Sequence, residues 1–221
     1  MRVDNLIPLV LAAIALIALY KAYRKARQAR RERLIDSYPF PPSIAAKVSK
    51  TYPHLSDAEV MRVMQGLREY FHLCNSAGRR MVSMPSQVVD VAWHEFILFT
   101  RKYEYFCGKA LGRFLHHTPA EAMRSPTSAQ AGIKTAWRLS CLREGMQPRA
   151  AHRLPLLFAI DAQLNIADGF RYALDCKRSP GDDYCAGHIA CSSGCGGGCG
   201  GGEEPAATES SCGCHRASPC R

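Results

Sequence analysis

Met84–Pro119 reads MPSQVVDVAWHEFILFTRKYEYFCGKALGRFLHHTP and holds three of the chain's eight histidines. From Val88 to Phe106 the large apolar residues Val89, Trp93, Phe96, Phe99, Tyr103 and Phe106 recur at three- and four-residue steps, the pattern of a helix with one face in a core. One helix is therefore predicted here, opened by Ser86 as N-cap and ended near Gly108. Asp90 and His94 are one helical turn apart, so the carboxylate can take a hydrogen bond from one imidazole nitrogen and leave the other for a ligand or a proton.

Working outward, Ser56 with Glu59 three residues on is a capping box, and Val60, Val63, Met64, Leu67, Tyr70, Phe71 and Cys74 follow as a core stripe, stopped at Asn75–Gly78. Ser43–Tyr52 reads as a short helix ahead of it. Downstream, Thr118-Pro119-Ala120-Glu121 has the form of a second capping box and predicts a short helix to about Arg124. Ser128–Glu144 predicts an amphipathic helix with Ile133, Ala136, Trp137, Ser140 and Cys141 inward. Leu154–Ile160 is read as a buried helical turn, because no second strand pattern exists to pair with it. The expected fold is all-α.

The two ends differ from this middle. Asn5–Tyr20 carries no charge over sixteen residues, about 24 Å of helix, with Tyr20, Tyr23, Lys21 and Arg24 placed to complete a membrane span. A cleaved signal peptide would put net positive charge before the run and small residues after it; here Asp4 offsets Arg2, and the run ends Leu-Tyr-Lys. The seven basic residues from Lys21 to Arg33, against Glu32 and Asp36, supply half of the chain's net charge of +10. That local excess places the following domain on the cytoplasmic side and argues against a nucleic-acid footprint spread over the fold. The chain thus divides into a transmembrane anchor (1–23), a basic juxtamembrane linker (24–40), a compact helical domain (41–177) and a disordered Gly/Cys-rich tail (178–221).

Eleven cysteines on the cytoplasmic side are read as thiols rather than disulfides. Cys74, Cys107 and Cys141 fall in helical patterns and are expected to be buried small hydrophobes. The remaining eight begin at Cys176. In the tail, Cys185, His188, Cys191, Cys195, Cys199, Cys212, Cys214 and His215 are soft ligands at zinc-like spacing, set among glycines that preclude a packed core. A plain flexible tail, thiolate metal binding and enzymatic modification of the cysteines all remain open for this segment.

In the middle, His94, His116, His117 and Cys107 are the residue types that a transition metal such as zinc selects, with Asp90 as an orienting partner. Cys107 is about 20 Å from His94 along an unbroken helix and could share a metal with it only if the helix breaks. The segment after Gly108 is long enough to return His116 or His117 to His94. The competing readings are a structural lock of Asp90, Trp93 and His94, and general acid–base work. No phosphate loop, zincin helix or serine elbow is present, and an enzyme is the lesser reading.

Val89-Asp90-x-x-Trp93-His94, with Tyr103, Cys107 and Phe114-Leu115-His116-His117-x-Pro119, resembles the shared domain of the glycine-rich domain-containing proteins, in particular their bacterial members. The resemblance covers about Pro41 to Cys176. It implies a helical domain followed by a glycine-rich tail, and no established enzymatic activity. The function expected from all of this is a single-pass cell-membrane protein that serves as an interaction or scaffold module for a protein partner. The alternatives are a metal- or ligand-binding domain centred on Asp90, His94 and His117, and a precursor with a modified tail.

Overall fold

Asp57–Ala77 (α3) is the helix against which every other long element packs. In the computed structural model, which describes residues 6–117, 126–174 and 184–185, α3 is preceded by α1 (Leu6–Ser37) and α2 (Pro42–Thr51). It is followed by α4 (Gln87–Leu98), α5 (Thr100–Phe106), a π-turn at Cys107–Leu111, α6 (Pro126–Arg143) and α7 (Leu156–Gln163). The helical class expected from the sequence is what the chain adopts. Beyond the helices, the described residues pair only as a two-residue parallel bridge, Tyr172–Ala173 (β1) with Tyr184–Cys185 (β2).

The capping box forms as predicted: Ser56 Oγ accepts from the Glu59 amide, and the Glu59 carboxylate accepts from the Ser56 amide at 2.8 Å. All seven stripe residues of α3 are buried, and Phe71, His72, Leu73 and Cys74 are buried in succession. A helix buried on every side over a full turn lies at the centre of its domain, not on its surface. α3, rather than the helix that carries His94, is therefore the centre of the domain.

The single helix predicted from the Ser86 cap to about Gly108 is two helices followed by a π-turn. Phe99 leaves helical geometry (φ −79°, ψ 56°), and its amide bonds back to Phe96 O, three residues earlier. In a straight helix Trp93 and Tyr103 would stand about 15 Å apart along the axis. The bend instead turns Tyr103 back, so that it packs edge-on to Phe96 and accepts a hydrogen bond from the Trp93 indole at 3.1 Å. At Gly112 (φ 71°) the π-turn closes on Cys107 O, and a side chain there would run into the Arg31 guanidinium of α1. Burial there, with Arg27 beside it, lowers the Arg31 pKa.

α1 is continuous from Leu6 to Ser37. Its last turn belongs to the core: Ile35 is fully buried, Leu34, Tyr38 and Phe40 pack beside it, and Arg68 of α3 donates to Ile35 O and Tyr38 O at 2.6 and 2.8 Å. Buried His72 adds a 2.7 Å bond to Asp36. Among the described residues no helix is long and apolar enough to cross a membrane, and Asn5, where the apolar run starts, lies outside them. The expected helix at 118–124, and the tail ligands His188, Cys191, Cys195, Cys199, Cys212, Cys214 and His215, also lie outside the described residues. α6 and α7 form where expected, with Trp137 packed edge-on to Phe158.

Candidate functional site: the Asp90–His94–His117 cluster

The N-terminus of α4 is fastened from a distance. Ser86 caps it, accepting from the Val89 amide, and the Ser86 hydroxyl donates to buried Asp161 of α7 at 2.7 Å. Each Asp161 oxygen accepts twice: Oδ1 from Ser86 Oγ and the Val88 amide, Oδ2 from the amides of Gln87 and Phe170. A carboxylate on these free amides satisfies helix-end donors and opposes the positive end of the helix dipole. Asp161 is the one charged residue between Leu154 and Ala167, and that isolation in an apolar run was its only signal in the sequence.

One turn into this fastened helix stand Asp90 and, a turn later, His94. Asp90 Oδ2 lies 3.3 Å from His94 Nδ1, and Asp90 Oδ1 lies 3.3 Å from His117 Nε2. The two imidazole rings are 4.1 Å apart between centroids. One ligand atom from each of the three residues falls within 4.8 Å of the others. Asp90 and His117 are mostly covered, at 19% and 15% exposure, whereas His94 is 52% exposed. The cluster is thus closed on the protein side and open on the side of His94.

His117 reaches Asp90 because its segment is tied down twice. Arg113 Nε donates to Gly78 O at 2.8 Å, and the Tyr103 hydroxyl donates to Leu115 O at 2.6 Å while accepting from Trp93. Burial, with Cys107 close by, pushes the Tyr103 phenol well above its ordinary pKa, so it stays protonated and keeps donating. Trp93 then meets the His117 ring edge-on at 4.6 Å. Trp93 is therefore the wall of the site.

Of the residues singled out in the sequence, Asp90, His94 and His117 come together, with Asp90 between the two rings rather than behind one of them. His116 does not join: it is exposed and packs on Phe114. Cys107 does not join either, although the helix does break between it and His94; it is buried in the core, where burial raises its thiol pKa. Elsewhere a cavity of about 410 Å³ is lined by charged groups that pair with one another, Arg143 with Glu69 and Arg153 with Glu144.

Fold and site together define an all-helical domain bearing a surface cluster of two histidines and one carboxylate. Residues 30–190 match the model of the UCP032817-like family, and the chain belongs to that family. No curated protein and no solved structure matches it.

Proposed function

We propose that this chain is a membrane-tethered helical module that presents its domain, and the cluster on its surface, at the cytoplasmic face of a membrane, where it docks a protein partner. The observation that carries the reading is α1. It is one unbroken helix whose apolar residues from Leu11 to Leu19 are bare, with Leu11, Ile14, Leu16, Ile17 and Leu19 all more than half exposed, and whose last turn is built into the core. Water does not tolerate such a run in isolation, and a bilayer removes it at a gain of about 25 cal/mol per Å².

The charges that follow support insertion along the helix axis. Lys21, Arg24, Lys25, Arg27, Arg30 and Arg33 are all exposed, and steps of about 100° distribute the six around the whole circumference. A helix lying flat in the interface has its cations on one face, whereas one emerging from a bilayer meets headgroups on every side. The same bias favours the cytoplasmic side for the domain. The resemblance to the glycine-rich domain-containing proteins fits this architecture.

Flotation of the purified full chain with phosphatidylcholine vesicles, followed by alkaline carbonate extraction, tests the tether. The unaltered chain should float and resist extraction. The triple variant Leu11→Asp, Ile14→Asp, Ile17→Asp should stay at the bottom of the gradient, since each charge at a helix centre costs about 3 kcal/mol of insertion. An unaltered chain that does not float, or a triple variant that floats equally well, removes the proposal.

A further inference from the structure

We infer that Asp90, His94 and His117 form a binding site for one divalent late first-row transition metal, zinc above all. This does not depend on the membrane tether. The spacing is the first ground. Ligand atoms about 2.1 Å from a tetrahedral zinc stand about 3.4 Å from one another; here His94 Nδ1 and His117 Nε2 each lie 3.3 Å from a different Asp90 oxygen, and one ligand atom from each of the three residues falls within 4.8 Å of the others. An ion can therefore be held by these three side chains once they draw in around it.

The donor set is the second ground. Two neutral imidazoles and one carboxylate bring a single negative charge and two nitrogens, which suits zinc, cobalt or nickel and disfavours calcium and magnesium, whose ligands are oxygens. Preorganisation is the third. Asp90 and His94 ride on a helix fastened by Asp161, and the His117 segment is held by the bonds from Tyr103 and Arg113. Trp93 shields the protein side of His117, and half-exposed His94 leaves an entry path for the ion from solvent.

The test uses the full chain with its accessible thiols first carbamidomethylated under native conditions, so that tail cysteines cannot bind the probe. Zinc and cobalt are then titrated calorimetrically, and cobalt also by its visible absorption. About one equivalent should bind. His94→Ala, which removes a half-exposed side chain and should leave the thermal midpoint within about 2 °C, should weaken binding at least about 100-fold. Asp90→Asn and His117→Ala should do the same, with far-UV circular dichroism reporting that each remains folded. The inference is overturned if the alkylated chain binds neither metal, or if it binds one equivalent that His94→Ala and Asp90→Asn leave unchanged.

Discussion

Asp161 shows how much one residue decides. Both of its oxygens accept two hydrogen bonds, so there is no orientation in which an amide could replace the carboxylate: an NH₂ group placed at either oxygen would face two donors. Asp161→Asn is therefore expected to cost about 3 kcal/mol, from bonds to a buried charged acceptor and the lost helix-end interaction, and to lower the thermal midpoint by about 10 °C. Circular-dichroism melts of the two proteins check it, and a midpoint within a degree or two of the unaltered chain would refute it. The same substitution at Asp90, whose carboxylate is partly solvated, should cost far less. At this scale the sequence made Asp90, His94 and the Ser86 cap legible, because each depends on neighbours within a turn. Asp161 acts on residues more than seventy positions away, and no local pattern reports that.

At the scale of elements, Gly66 is where three helices meet. A methyl group at this position would lie 2.8 Å from Val89 Cγ2 of α4, and within 3.7 Å of Ile160 and Leu157 of α7. Val89 is β-branched and buried, so it has no free rotamer into which to retreat. Gly66→Ala gains about 1 kcal/mol of helix propensity, but overpacking costs more, commonly about 1 to 3 kcal/mol. A net loss of about 1 kcal/mol is expected, and Val89→Ala added to it should recover part of that loss because the two side chains compete for one space. Chemical denaturation of the two single variants and the double variant measures this, and strict additivity would show the contact to be unimportant. Apolar spacing over 88–106 read correctly as helical, but it could not show that Trp93 and Tyr103 must touch, and that contact requires the axis to turn.

For the molecule as a whole, the buried thiols tie stability to pH. Burial pushes Cys74 up to about 12, and it pushes Cys141 up to about 11 with Glu144 adding to the effect. Folding thus favours the neutral thiol, and the stability this gives is complete below the unfolded value of about 8.5 and is withdrawn as pH rises above it. Above pH 9 the unaltered chain should lose stability faster than Cys74→Ala, by about 1.4 kcal/mol per pH unit, in denaturant titrations at successive pH values. Parallel slopes would show that Cys74 is not held neutral by the fold. The effect reaches the whole domain because Cys74 lies on α3, against which the rest of it is assembled.

What the sequence determined by itself is whatever rests on periodicity and near neighbours: the helical class, the capping box at Ser56, the burial of Cys74, Cys107 and Cys141, and the pairing of Asp90 with His94. Hydrogen bonds and side-chain contacts one turn apart are written into spacing, and a pattern of apolar residues has few ways to be satisfied. Only the tertiary structure decided that His117 and not His116 closes the cluster, that α3 is the centre, and that Asp161 fastens the helix beneath the site. Each of these joins residues tens of positions apart, where the outcome depends on how the bend at Phe99 and the π-turn ending at Gly112 aim the chain, and no local preference encodes that direction.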